Sequence, residues 1–318
     1  MKRKLILIVT LTLAFTTACG GKNTISENTV DEKIKTENKI VEKKVTKSEE
    51  EQENIMREFD KVMAEITEKE IIEFVDNNIE GLSEENGTRL VLGIQQVQRR
   101  KIEDRVDSFF EVNIQEKMIE KLDDTFTLDK IDRVEDEELK NFLQEIKDSG
   151  YNIFMTEGSY YPIEDFEFYK KYIPHVSEDM KEYIELQAIE TNNISSSDAA
   201  LIISWKEVLD RALNHEKFIN KYPDFPRVED IKKQYLFYIM ASIFGESNTP
   251  AFDYMDERLN EELKESYFSL DLNDTDSKFI QTLKEYIELL EKNNYKLTDE
   301  VQEYRNGIYN GFQKELGM

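Results

Sequence analysis

The chain has 318 residues, of which 42 are Lys or Arg and 68 are Asp or Glu, and its formal net charge at pH 7 is −26. Because such a charge repels phosphate backbones and anionic lipid headgroups, neither a nucleic-acid partner nor an electrostatic membrane contact is expected. The chain has only 11 glycines and five prolines, which disfavours the turn-rich α/β folds of solute-binding receptors and favours a mostly helical body.

Residues 1–18 have the three parts of a secretory signal peptide. Basic residues stand at Lys2–Lys4, an apolar run diluted by threonines covers Leu5–Phe15, and small residues precede Cys19, which is the only cysteine. The apolar run is too short for a comfortable transmembrane helix, which needs about 20 residues. We therefore expect the first 18 residues to be cleaved.

The sequence at the cut, Thr16-Thr17-Ala18-Cys19-Gly20, resembles the lipobox of bacterial lipoproteins. In that family the cysteine becomes the new N-terminus and carries the lipid. Ala18 and Gly20 fit the pattern, whereas Thr16 stands where the family usually has Leu, Val or Ile. The resemblance implies acylation of Cys19, a lipid bilayer as partner, and a location on the extracytoplasmic face of a cell membrane. A plain secretory signal is the alternative, and it would leave Cys19 as a free thiol.

Residues 19–49 are expected to form a flexible polar tether behind the lipidated cysteine. The stretch from residue 20 to residue 49 contains no aromatic residue and consists largely of Lys, Glu, Asn and Thr. A flexible coil of about 30 residues has a root-mean-square span of roughly 30 Å. A tether of this length can hold a folded body away from the membrane surface.

From Glu50 onward the apolar spacing becomes helical and predicts an N-terminal helical region over residues 50–150. Thr67 and Glu70 have the spacing of a capping box, and Ser83 is placed to cap a third helix that runs towards Leu122, with a possible break near residues 99–103.

Residues 151–163 are the only place where the pattern favours β structure. Tyr151, Ile153 and Met155 alternate, and Glu157-Gly158 is suited to a tight turn. The predicted β-hairpin separates two helical halves, so we place a domain boundary near residue 150.

The C-terminal region, residues 151–318, is again predicted to be helical. Ser177, Ser204 with Glu207, and Thr298 are positioned as helix caps. The predicted fold class is therefore all-α, as either an array of helical hairpins or an irregular helical bundle.

A weak internal repeat favours the array. Phe168-Tyr169-Lys170-Lys171-Tyr172 is followed 50 residues later by Phe218-Ile219-Asn220-Lys221-Tyr222, and Tyr267 lies 49 residues beyond Phe218. An aromatic residue at a helix end, followed by a Tyr-Pro joint at Tyr222 and Pro223, is similar to the joints of tetratricopeptide-type hairpins. The resemblance covers residues 165–295 and implies a divergent array with a period longer than the 34 residues of that family. A single irregular helical domain is the alternative.

The sequence has none of the common catalytic or phosphate-binding motifs, and no cofactor or metal is expected. Of the two histidines, His175 and His215, the latter is expected on the exposed side of its helix. Residues 271–276 resemble the start of a calcium loop but lack the required glycine, and Thr282 stands where the bidentate glutamate belongs. We interpret this segment as a capped loop before a helix.

An aromatic cluster is the sharpest candidate for a ligand surface, because tyrosine combines a flat apolar ring with a polar tip. Its members are Tyr160, Tyr161, Phe166, Phe168, Tyr169 and Tyr172. Of these, Tyr160, Tyr161, Tyr169 and Tyr172 are the candidate partner-binding residues. The alternative is that the rings fill the seam between the two helical halves.

Two functional classes remain open. The first is a membrane-anchored, non-enzymatic interaction module that binds an envelope protein, a peptide or a glycan. The second is an extracytoplasmic cell-wall or peptide hydrolase, or an accessory to one, with an acidic active site that no motif reveals. The absence of nucleophile and metal motifs favours the first class.

Overall fold

Helices dominate the computed structural model, which describes residues 46–111, 113–123 and 126–318. The all-α fold class is therefore confirmed. The predictions for the signal segment, for Cys19 and for the tether up to residue 45 lie outside the described residues. Within them, no helix is both long enough and apolar enough to cross a bilayer.

The N-terminal part consists of five α-helices and a 3-10 turn at Leu128–Arg133: α1 Glu49–Val62, α2 Glu68–Asn78, α3 Glu84–Phe109, α4 Ile114–Lys121 and α5 Glu137–Asp148. The capping box of Thr67 and Glu70 and the cap at Ser83 are confirmed. The predicted break at residues 99–103 is wrong, because α3 is continuous to Phe109. The break comes before α4, where Asn113 has a φ of 73° that ends the helical path.

The β-hairpin is confirmed, with strands β1 Tyr151–Thr156 and β2 Ser159–Glu164. Glu157 and Gly158 join them with φ of 49° and 72°, the backbone of a tight hairpin turn. Two further hairpins were not predicted. They are formed by β3 Ser196–Ser197 with β4 Ala200–Leu201, and by β5 Gly245–Glu246 with β6 Thr249–Pro250. Strands of two residues are too short to produce an alternating pattern in the sequence.

The C-terminal part consists of seven helices, with a second 3-10 turn at Lys170–His175 after the first: α6 Phe166–Tyr169, α7 Glu178–Asn192, α8 Trp205–Lys221, α9 Val228–Phe244, α10 Glu261–Phe268, α11 Lys278–Lys292 and α12 Asp299–Glu315. Ser204 and Thr298 cap α8 and α12 as predicted. Ser177 precedes α7 but makes no side-chain cap. Tyr222 ends α8, so the predicted joint between consecutive helices is confirmed.

The tips of the three hairpins are joined to one another by hydrogen bonds. The backbone N–H of Glu157 donates to Oδ1 of Asp198 over 2.9 Å. Asn248 in turn donates its backbone N–H to the carbonyl of Ala199 over 2.8 Å and its side-chain amide to the carbonyl of Asp198 over 2.6 Å. The three tips thus form one continuous hydrogen-bonded row.

Among the residues that the structure describes, the buried apolar side chains form three clusters. The first combines residues from both predicted regions, for example Phe59 and Val91 with Tyr183 and Phe225. The second lies within the C-terminal helices and extends to Phe312, and the third surrounds α4, α5 and the first hairpin. Because the first cluster spans both regions, the predicted boundary near residue 150 does not coincide with a gap in the packing.

Candidate functional site

A groove of about 980 Å³ lies between α7, α8 and the loop that precedes α11, and we call it the acidic groove. It is lined by Glu178, Glu182, Glu185, Leu186, Ile189, Leu213, Asn214, Glu216, Lys217, Phe218, Asn220, Lys221, Asp274, Asp276 and Ser277. The α7 residues are spaced by three or four positions, apart from the adjacent pair Glu185 and Leu186, and therefore occupy one face of that helix. The α8 residues from Leu213 to Lys221 form a matching face on the second wall.

The groove carries a marked excess of negative charge. Six of its lining residues are carboxylates and two are lysines, an excess of four negative charges. Glu182 and Lys221 form an ion pair of 2.5 Å that connects the two helices. The hydrogen bond from Lys221 to Glu182 is the largest cause that raises the pKa of Lys221, so this lysine stays charged.

Three exposed carboxylates of the groove have no cationic partner. None of the ion pairs between described residues includes Glu185, Asp274 or Asp276. Asp274 accepts a hydrogen bond from the backbone N–H of Asp276 over 3.0 Å, which shapes the loop without neutralising either charge. Carboxylates arranged in this way attract a positively charged group from solution.

Apolar side chains lie among these charges. Leu186 and Phe218 are buried and form part of the groove wall, whereas Ile189 remains 44% exposed. An exposed isoleucine next to unpaired carboxylates offers contacts to a segment that is both apolar and basic. Such a combination is typical of surfaces that bind amphipathic peptides.

Glu216 is the buried carboxylate of the groove, and its oxygens are occupied. Oε1 accepts hydrogen bonds of 2.9 Å from the Tyr235 hydroxyl and from the backbone N–H of Phe279. Oε2 accepts a hydrogen bond from the Ser277 hydroxyl. With both oxygens engaged, Glu216 holds α8 against the start of α11 and positions the loop that carries Asp274 and Asp276.

His215 is fully buried, so the prediction that it lies on the exposed side of α8 is wrong. Nδ1 donates to the carbonyl of Arg211 over 2.7 Å, and Nε2 lies 3.3 Å from Oε1 of Gln234. Burial is the largest cause that lowers the pKa of His215, while Glu190 opposes the shift. His215 is buried because it belongs to a hydrogen-bonded network of polar side chains. The spacing of apolar residues along α8 gives no sign of this network.

Arg211 is the centre of that network. Its guanidinium donates to Oε2 of Glu190 over 2.9 Å, to Oε1 of Glu207 over 2.5 Å and to the hydroxyl of Tyr238 over 3.1 Å. These groups come from α7, α8 and α9, so the network connects three consecutive helices. Glu190 Oε1 has no hydrogen-bond partner and lies 3.8 Å from Nε2 of His215.

Two of the predicted partner-binding tyrosines, Tyr169 and Tyr172, are buried in the first core cluster. The Tyr169 hydroxyl donates to the side chain of Gln98, and the Tyr172 hydroxyl donates to Oδ1 of Asp76 over 2.8 Å. Burial raises the pKa of both hydroxyls. Both rings thus connect the hairpin region to the N-terminal helices, in agreement with the packing alternative.

The other two tyrosines lie elsewhere in the structure. Tyr160 is buried in the third core cluster, and its backbone carbonyl accepts a hydrogen bond of 2.6 Å from Gln115. Tyr161 is half-buried, with its ring centroid 5.5 Å from that of the exposed Phe110. Three of the four residues are therefore divided between two core clusters, and Tyr161, which belongs to neither, is the only half-buried one.

The acidic segment 271–276 folds as a loop before α11. Asp271 and Asp274 each accept a hydrogen bond from a backbone N–H two residues later, and Ser277 caps the helix. Among the described residues, no group of three or more His, Cys, Asp or Glu side chains is arranged to hold a metal ion.

Sequence reasoning missed the acidic groove, because three distant segments build it. The signal that was present is the spacing of Glu178, Glu182 and Glu185 beside Leu186 and Ile189, which places acidic and apolar side chains on one helical face.

No protein-family model, curated protein or solved structure matches the chain.

Proposed function

We propose that the protein is a membrane-anchored extracytoplasmic lipoprotein and a non-enzymatic interaction module, whose acidic groove binds a basic, partly apolar segment of an envelope protein. The observation that carries the proposal is that three unpaired carboxylates, those of Glu185, Asp274 and Asp276, line the same groove as the exposed Ile189. Lysine or arginine side chains of a partner would pair with the carboxylates, and its apolar residues would cover Ile189.

The anchoring half of the proposal is supported by the sequence alone. The order of a basic start, an apolar run and small residues that ends at the sole cysteine favours acylation of Cys19. More than one acyl chain on that cysteine would give stable attachment, whereas a single chain gives marginal binding. The tether would then allow the body to reach partners near the membrane.

The interaction half is also supported by the order of the helices. Helices α7, α9 and α11 begin at Glu178, Val228 and Lys278, which are separated by 50 residues each. This period agrees with the spacing of the aromatic motifs, and we propose that the C-terminal part is a divergent array of helical hairpins. Arrays of this kind use the faces of successive helices to bind peptides.

The chemistry of the groove favours binding over catalysis. A general acid or base needs a carboxyl group that is free to exchange a proton with a substrate. Glu216 is the buried carboxylate of the groove, and three donors occupy its oxygens. The remaining carboxylates are exposed, apart from the half-buried Glu182 that pairs with Lys221, and attraction of cations is the role that suits them.

A peptide titration with purified full-length protein in detergent tests the groove. The probe is a helix-forming peptide of Lys, Leu and Ala, about 18 residues long, which is roughly five helical turns. Two peptides serve as controls, one with Glu in place of Lys and one with Ser in place of Leu. We expect the first probe to bind, and each control to bind at least about tenfold more weakly, a difference of about 1.4 kcal/mol.

A pair of charge-matched variants shows where the peptide binds. The groove variant is Glu185→Gln with Asp274→Asn and Asp276→Asn, and the control replaces the exposed Glu262, Glu265 and Glu303 with Gln. Both variants lose three negative charges, so only a local site distinguishes them. We expect about tenfold weaker binding in the groove variant and little change in the control. Equal weakening would mean that the peptide responds to the overall charge, and it would overturn the proposed site.

A further inference from the structure

Arg305 on α12 is a partly buried cation without an acidic partner. None of the ion pairs between described residues includes it. Its Nη2 donates a hydrogen bond to Oε1 of Gln302 over 2.6 Å. Its Nε is buried and has no hydrogen-bond partner. A buried N–H without an acceptor is costly, so the polar groups of Arg305 are only partly compensated within the fold.

Two aromatic rings hold the guanidinium in place. Its central carbon lies 4.7 Å from the ring centroid of Phe244 and 5.3 Å from that of Phe252. Burial lowers the pKa of Arg305, in contrast to Arg99, Arg105 and Arg211, whose neighbouring carboxylates help to raise the pKa. An arginine nevertheless keeps its proton in proteins, so a positive charge is fixed between apolar rings.

The guanidinium lines a cavity of about 250 Å³, which we call the Arg305 cavity. Its other lining residues are Phe244, Pro250, Phe252, Asp253, Tyr254, Glu257 and Leu297. The two acids of the lining do not neutralise the arginine, since neither lies within ion-pair distance of it. The Asp253 carboxylate instead accepts the backbone N–H groups of Met255 and Asp256, over 2.7 and 3.1 Å.

A second polar atom near Arg305 also lacks a partner. The hydroxyl of Tyr286 is buried and makes no hydrogen bond. Tyr286 is close enough to act on the pKa of Arg305. Nε of Arg305 and the Tyr286 hydroxyl are therefore both buried without a hydrogen-bond partner.

We propose that the Arg305 cavity binds the carboxylate of a small organic acid whose body is apolar and aromatic. The carboxylate accepts hydrogen bonds from the two terminal nitrogens of Arg305, the planar geometry that guanidinium and carboxylate share. The body of the ligand packs against Phe252, Pro250 and Leu297. This site is separate from the acidic groove and does not depend on the function proposed for it.

The size and charge of the cavity select this class of ligand. Its volume is below the roughly 300 Å³ at which pockets begin to accommodate drug-sized molecules. Arg305 is the only cation of the lining, and Asp253 and Glu257 leave the lining with one excess negative charge, so a phosphate dianion would be repelled more strongly than a monoanion. Tyr254 is 74% exposed at the rim of the cavity, and its ring can contact a bound ligand without being part of the core.

Calorimetric titration of the full-length protein with 3-phenylpropanoate tests the proposal, and 3-phenylpropanamide is the neutral control with the same body. We expect the acid to bind and the amide to bind at least about tenfold more weakly. N-acetylphenylalanine and its amide form a second pair. Tighter binding of N-acetylphenylalanine than of 3-phenylpropanoate would identify a peptide C-terminus as the source of the carboxylate, and the reverse would identify a free acid.

Variants locate the binding. Arg305→Gln is expected to weaken binding of the acid at least about tenfold and to leave binding of the amide unchanged. Arg57→Gln, which removes an exposed arginine, is expected to change the binding of neither compound. Tyr254→Ala changes the rim of the cavity without altering the core. We expect it to lower the affinity for the acid several-fold, and this result stays informative if Arg305→Gln impairs folding. The proposal is overturned if the acid and amide bind equally, if neither binds, or if acetate alone competes as well as the aromatic acid.

Discussion

The carboxylate of Glu216 on α8 and the backbone N–H of Phe279 on α11 form a hydrogen bond of 2.9 Å between residues 63 positions apart. The first N–H groups of a helix have no partner within it, and they are usually capped by a residue just before the helix. Here Ser277 supplies the local cap for Ile280, and Glu216 supplies a second acceptor from another helix. The hydrogen bond from Phe279 to Glu216 therefore both caps the first turn of α11 and fixes the position of Glu216 in the acidic groove.

We expect Glu216→Ala to lower the free energy of unfolding by about 3 kcal/mol, because it removes an acceptor of three hydrogen bonds and leaves buried donors unpaired. Denaturant titration followed by circular dichroism measures the change. The control is Glu185→Ala, which removes an exposed carboxylate of the same groove and should change stability by less than about 0.5 kcal/mol. Equal effects of the two substitutions would show that Glu216 contributes no more than a surface charge.

Gly87→Ala should destabilise the protein by about 2 kcal/mol. A Cβ at this position of α3 would lie 2.0 Å from the backbone oxygen of His175, closer than packing permits, so the backbone must shift. Gly311→Ala on α12 is the matched control, since a Cβ there meets no atom within 4 Å. Helix propensity then predicts a gain of about 0.5–1 kcal/mol. The two substitutions should move the thermal midpoint in opposite directions, and a gain for both would contradict the close approach of α3 to His175.

Stability should depend on pH through His215. Burial lowers its pKa below the ordinary value of about 6.5, so the unfolded chain binds this proton at a higher pH than the folded chain. The contribution of His215 is therefore complete above about pH 6.5 and decreases as the pH falls below it, by at most about 1.4 kcal/mol per pH unit. Glu190, Arg211 and Gln234 face the ring and are unchanged by the test.

Urea titrations between pH 5 and pH 7.5 measure this dependence. We expect His215→Asn to be less stable at neutral pH and to lose part of the decrease below about pH 6.5. His175→Gln replaces the other histidine and should leave the profile of His215 intact. Identical pH profiles for His215→Asn and the wild type would contradict the assignment.

Under the proposed anchoring, Cys19→Ala should abolish incorporation of a fatty-acid analogue in growing cells and leave unprocessed precursor, because it removes the proposed site of acylation and cleavage. Thr16→Leu introduces the residue usual at that position in bacterial lipoproteins and should label at least as well as the wild type. Labelling is followed by gel fluorescence. Equal labelling of Cys19→Ala and the wild type would place the lipid elsewhere or exclude it.

Local rules predicted those parts of the fold that depend on neighbours in the sequence. Thr67 and Glu70 form their capping box because both partners belong to one helical turn. The hairpin at Glu157 and Gly158 formed because its turn residues and alternating strands are adjacent. The hairpins at residues 196–201 and 245–250 escaped prediction, because two-residue strands leave no periodic signal.

Features that depend on distant residues could not be predicted in this way. The polar character of His215 predicts an exposed side chain. In the structure His215 is buried, because Glu190 and Gln234 from other helices lie beside its ring as polar partners. Tyr169 and Tyr172 were candidates for a contact surface, and their partners Gln98 and Asp76 lie more than 70 positions away in the chain. The acidic groove likewise needs three segments that only the folded chain brings together.

The row of hydrogen bonds between the hairpin tips has a consequence for how the chain can vary in length. Insertions are usually tolerated at exposed loop tips. Here Asp198 and Ala199, which have positive φ, are engaged with Glu157 on one side and Asn248 on the other. One extra residue in the middle hairpin would displace acceptors that both neighbours use. We therefore expect evolution to preserve the lengths of these three tips together.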